Sequence, residues 1–117
     1  MIKIDQQDAA LIEVTFGGEI THEDYQAVIP KFDEAIAEHG QLRLLCKIET
    51  IDGVSPRAIV DDLKWDWKHR NDIEKCAVVA EGSVLEASTK AVGLLYSGEF
   101  KHFEPDQIEE ARQWLRQ

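Results

Sequence analysis

Apolar and polar residues alternate from Leu11 to Phe16. Ile12, Val14 and Phe16 share one face, and Glu13 and Thr15 share the other. A period of two predicts a strand. Ile2 to Ile4 predicts a shorter strand before it, with Asp5-Gln6-Gln7-Asp8 as the turn and Gly17-Gly18 as the stop. The spacing then becomes helical. Tyr25, Val28, Ile29, Phe32, Ala35 and Ile36 recur between an N-cap at Thr21 and a terminating Gly40, predicting one helix bent at Pro30. Leu42 to Glu49 alternates again, with Arg43, Lys47 and Glu49 among the residues of its second face. Strands covered on both sides are apolar on both sides, so this half-polar pattern predicts helices mainly on one side of the sheet.

Ser55-Pro56 is a strong helix start, and the helix is predicted to run from Pro56 to Arg70. A strand from Ile73 to Ala80 follows. The capping box Ser83-Val84-Leu85-Glu86 opens a helix predicted to reach about Leu95. Glu99 to Phe103 predicts the last strand. Pro105 opens the closing helix, striped by Ile108, Ala111 and Leu115. The predicted order is ββαβαβαβα. It implies an α/β fold with a mixed, mostly parallel five-stranded sheet and four helices. Residues 1–117 read as a single domain with no linker or repeat.

The 117 residues carry 23 Asp+Glu and 13 Lys+Arg, a formal net charge of −10. Such an acid excess argues against nucleic-acid binding, which needs a concentrated basic face. No apolar run approaches the ~20 residues of a membrane span, and the N-terminus lacks signal-peptide features, so a cytoplasmic location is expected. Cys46 and Cys76 lie far apart in apolar runs and read as buried reduced thiols. The four histidines share no metal-binding spacing, and no glycine-rich phosphate loop is present. No metal, cofactor or catalytic set is expected, and the chain reads as a non-enzyme.

Three segments carry a family resemblance: Gly18-Glu19-Ile20-Thr21-His22-Glu23-Asp24-Tyr25, Asp62-Leu63-Lys64-Trp65-Asp66-Trp67-Lys68-His69-Arg70, and Phe103-Glu104-Pro105 with Ala111 to Leu115. In these the chain resembles the SpoIIAA-like (STAS/Sec14-type) single-domain bacterial proteins. The resemblance implies a SpoIIAA-like fold and a binding module. Relatives by fold include anti-sigma-factor antagonists, which dock proteins and are phosphorylated on serine, and Sec14-like domains, which hold lipids. In the antagonist branch the phosphorylated serine enters the helix equivalent to that after Ser55. Here Asp52 is followed by Gly53-Val54-Ser55-Pro56, without the paired small hydroxyl residues of that motif. Ser55 is thus either a phosphosite or simply an N-cap.

Two surfaces are singled out by periodicity. In the helix after Ser55, Ile59, Val60, Leu63 and Trp67 form the wider apolar stripe and are expected to face the core. Trp65 then points outward with His69, and with Arg70 it makes a partner-facing patch. Lys64 and Lys68 add positive charge there, suited to an acidic partner or a lipid headgroup. The predicted helix from Val84 is apolar nearly all round. Val84, Leu85, Leu94, Leu95 and Tyr96 are expected to face a ligand, a second subunit or a bilayer surface, with Gly82, Gly93 and Gly98 as hinges. The leading expectation is a cytoplasmic module for an apolar or amphipathic, lipid-like small molecule, with weak peripheral contact at the inner membrane. The alternative is a module that docks a regulatory protein.

Overall fold

β1 (Ile2–Asp8) and β2 (Leu11–Ile20) form an antiparallel hairpin. β3 (Leu42–Val54), β4 (Ile73–Val79) and β5 (Glu99–Phe103) join it in parallel, giving one sheet in the order β1-β2-β3-β4-β5. The computed structural model describes residues 1–82, 89–90 and 92–117. Among these stand three helices, α1 (His22–His39), α2 (Pro56–Lys68) and α3 (Ile108–Arg116), the last behind a short 3-10 turn at Pro105–Gln107. The described order is therefore ββαβαββα, with three helices rather than four. The predicted helix from Val84 to Leu95 lies mostly outside the described residues, including its capping box. Within it Thr89, Lys90, Val92 and Gly93 are helical, whereas Leu94 and Leu95 form a turn.

The hairpin strands are longer than alternation predicts. Asp5 to Asp8 continue β1 because polar residues there have cross-strand partners: Thr15 donates to Asp5 at 2.5 Å and Lys47 pairs with it at 3.2 Å. Gly17-Gly18 bulges β2 without ending it. The register slips around Gly18, whose φ of +61° suits a residue without Cβ, and the strand then runs on to buried Ile20.

α1 begins as predicted, with Thr21 and Asp24 in a reciprocal capping box, and it stays one helix through Pro30. A sheet that grows in one direction by crossovers of one hand carries its connections on one face. α1 accordingly buries Val28, Phe32 and Ala35 in a core with Ile12, Val14, Leu42, Leu44 and Ile73.

α3 occupies the opposite face, against Leu45, Ala77, Val79 and Phe103. This corrects the one-sided expectation, and the polar positions explain why. Glu13 is almost fully buried, and Arg112 of α3 grips its carboxylate through two bonds of 3.0 Å. Arg43 and Lys75 donate to the last carbonyls of α3, where the helix dipole favours cations. The half-polar face is thus wired to a helix.

α2 is rotated from the predicted phase. Ala58 is its one buried residue, Trp65 packs against the α1-side core, and the C-cap His69 is buried. The stripe expected in the core faces out: Leu63 is 59% exposed and Trp67 60%, with Ile59 and Val60 near half. Trp65 is held by its indole N–H, which donates to Asp33 of α1 at 3.0 Å, and by its ring contacts with Phe32 and His69. His69 lies between Asp72 at 2.7 Å and Asp33 at 3.1 Å. Arg70 stacks on Trp67, 4.2 Å from the ring centroid. The predicted patch therefore divides, with Trp65 and His69 inside and Arg70 at the rim.

Two substitutions separate these environments. Trp65→Ala is expected to lower stability by about 3 kcal/mol, as truncation of a packed aromatic does, and Trp67→Ala by under about 1 kcal/mol. Urea unfolding of the two variants checks this, and equal losses would contradict the observed phase.

Candidate functional site

Residues four apart share one side of a helix, so Asp62 and Asp66 both descend from the inner face of α2. They enter a cavity of about 320 Å³ between α2, α1 and the sheet. Its walls are apolar, drawn from Val14 and Leu44 on the sheet, Ile29 and Phe32 on α1, and Trp65 on α2. Asp62, Trp65 and Asp66 are the α2 side chains on its wall. Ile51, Val54 and Val92 line the cavity and are also exposed, which marks its mouth.

Two tyrosines complete the polar corner. Tyr25 on α1 donates its hydroxyl to Asp62 at 3.1 Å, and Tyr96 donates to Asp66. Tyr96 is buried and stacked on Phe100 at 4.7 Å, so its hydroxyl is well fixed. Both carboxyls line the same cavity, each beside its tyrosine hydroxyl. Burial pushes both above the usual carboxylate range. Asp66, further raised by the charge of Asp62, reaches about 7. Burial, with the charge of the neighbouring carboxylate, also raises both tyrosine hydroxyls. The corner thus stores one proton to near neutrality and offers carboxylate oxygens to a guest.

On the floor, the Cys46 and Cys76 sulfurs lie 3.9 Å apart on adjacent strands, both as free thiols. The hydrogen bond with Cys46, followed by burial, pushes the Cys76 thiol up and suppresses its thiolate.

The other predicted positions fall elsewhere. Ser55 caps α2, accepting from the Ala58 amide at 3.2 Å. Leu94, 90% exposed, and Leu95 are not among the described residues that line the cavity. Val84 and Leu85 lie outside the described residues. Tyr96, expected to face a ligand, does line the cavity, but as a hydroxyl donor to Asp66. Gly93 and Gly98 are close-approach sites: a Cβ on Gly98 would stand 2.0 Å from the Ile73 carbonyl oxygen. Asp62 and Asp66 escaped sequence reasoning. Their one signal was a pair of acids at i, i+4 facing two distant tyrosines.

Comparison with known proteins places the chain. The SpoIIAA-like family matches residues 11–116. The protein belongs to the SpoIIAA-like family. A crystal structure of an uncharacterised Shewanella loihica protein with a SpoIIAA-like fold is 30% identical, with a TM-score of 0.82, covering 98% of this chain and 92% of that one. The anti-sigma factor antagonist SpoIIAA in its unphosphorylated form is 11% identical, with a TM-score of 0.62 over 99% and 98% of the two chains. That likeness shows the fold alone. No curated protein matches the chain. Among the described residues no helix is long and apolar enough to cross a membrane.

The raised carboxyl pair has a consequence for stability. An acid whose pKa rises on folding stabilises the fold while protonated, here fully below about pH 4. That contribution is lost as pH climbs toward about 7. Asp66→Asn keeps an acceptor for Tyr96 and cannot ionise. It is expected to exceed wild type by about 1–2 kcal/mol at pH 8, after allowance for partial solvation, with the gap closing toward pH 4. Denaturation of both proteins across this range checks the sign.

Proposed function

We propose that this domain is a non-catalytic regulatory module that docks a second, different protein through the outer face of α2. The observation that carries the reading is the exposed stripe of Ile59, Val60, Leu63 and Trp67 on an otherwise well-formed helix. Isolated apolar residues are common on surfaces, but a contiguous stripe rimmed by polar groups marks an interface. Arg57, Lys64, Lys68 and Arg70 supply that rim in a chain of net charge −10. A second copy laid face to face would oppose these cations and add to the mutual repulsion of two acidic bodies. The chemistry fits a partner whose apolar stripe is bordered by carboxylates. The fold shared with an anti-sigma factor antagonist supports the same direction.

Ser55 stands at the start of this face, half-exposed and with its hydroxyl at a helix N-terminus. A phosphate there is stabilised by the free amides and places about two negative charges beside Arg57. In this proposal that modification switches docking off.

A second reading concerns the cavity, whose volume lies at the lower end of small-molecule pockets, roughly 300–1,000 Å³. Its apolar walls and single polar corner suit a compact amphipathic guest. The two readings use opposite faces of α2 and do not compete.

Leu63→Glu is expected to leave the melting temperature within about 2 °C of wild type, as an exposed position allows, and to abolish capture of the partner. Wild type and variant would be compared by quantitative mass spectrometry of proteins retained from cell extract. An identical retained set for both would overturn the docking face. Ser55→Asp keeps the cap and adds charge, so loss of the same partner supports the switch, and full retention reduces Ser55 to a cap.

A further inference from the structure

The cavity under α2 has an unusual charge inventory. Of its described lining residues, Asp62 and Asp66 alone carry ionisable acid or base groups of ordinary strength, and no Lys, Arg or His is among them. Both carboxyls are partly buried, and among the described residues each accepts from one tyrosine hydroxyl. Ionised carboxylate away from water is costly unless a cation or several donors answer it. Two hydroxyls satisfy one lone pair on each group, and further oxygen lone pairs remain for a guest. An ammonium has three donors and a positive charge, which answers this corner. An alcohol offers one donor and no charge, and a carboxylate is repelled.

We propose that the cavity binds a compact apolar molecule bearing one protonated amine, with the amine seated at Asp62 and Asp66 and the apolar body against Val14, Phe32, Leu44 and Ile73. This rests on reading the cavity as a ligand site and names the class of ligand. Tyr25 and Tyr96 act as positioning residues. Each holds one carboxylate by its hydroxyl, and the Tyr96–Phe100 stack fixes the second of them. Entry is at Ile51, Val54 and Val92, the exposed lining residues at the mouth. The ligand class runs opposite to a fatty-acid type of guest, whose carboxylate would add a third acid to the pair.

Octylamine, octanol and octanoate share one tail and differ in head group. Each is titrated into the full chain at pH 7.5 and 0.15 M salt, read by calorimetry and by quenching of tryptophan fluorescence. Octylamine is expected to bind at least about tenfold more tightly than octanol, as charged hydrogen bonds imply, and octanoate most weakly. Asp62→Asn with Asp66→Asn should reduce octylamine to the level of octanol and leave octanol within about twofold. That control also removes general attraction of amines to an acidic protein. Equal binding of amine and alcohol, or a preference that survives in the double variant, overturns the amine proposal while the cavity reading stands. Failure of all three probes to bind overturns both. Should the double variant not fold, Asp66→Asn alone and the three-probe ranking on wild type decide the matter.

Discussion

α2 lies with its polar side down, and most of what is distinctive in this domain depends on that. The inner face of the helix presents Asp62, Trp65 and Asp66, which find partners far away in the chain, Tyr25, Asp33 and Tyr96. Its C-cap His69 bonds Asp72 in the turn that follows. Buried polar groups hold a helix in one rotation more strictly than apolar ones, because a wrong rotation strands each of them without a partner. The bonds from Trp65 to Asp33 and from Tyr25 to Asp62 tie α2 to α1. The space below therefore stays open as a cavity, and the apolar stripe has nowhere to go but outward.

The opposite face of the sheet is built on a different balance. There α3 buries Ala111 and Leu115, and Glu13, Arg43 and Lys75 of the strands hold it. The paired Glu13 and Arg112 exemplify a contact whose worth lies in orientation, since a buried ion pair offsets its own desolvation only with good geometry. One face of the sheet is thus held by ion pairs and apolar packing, while the other keeps the chamber that Asp62 and Asp66 enter.

The carboxyl corner links the two properties. Burial and mutual repulsion make Asp62 and Asp66 hold a proton that isolated carboxyls would have lost. A domain that tolerates this cost in its interior keeps, in exchange, a polar anchor inside an otherwise apolar chamber. Polar groups of this kind are what give an apolar pocket its selectivity. The helix carrying them also carries the outer stripe of Ile59, Val60, Leu63 and Trp67.

Local pattern was enough for a large part of the architecture. The hairpin strands, the capped α1, the start of α2, the parallel β3 and β4, and the stripe of α3 are each written in a run of neighbouring residues. Family membership was legible from three short segments as well. What local pattern cannot contain is the partner of a polar residue far away in the chain. Glu13 looks like solvent-facing charge until Arg112, 99 positions later, is brought against it. In the same way the amphipathic α2 presents two stripes, and the wider apolar one is the natural choice for the core. Only the arrival of Tyr25, Asp33 and Tyr96 turns the polar stripe inward. The sequence by itself determined which segments become strands and helices, because propensity, capping and periodicity act within a few residues. Tertiary structure alone decided which way α2 faces, and with it the cavity and the exposed stripe, because the free energy of a buried polar group is set by a partner that only folding supplies.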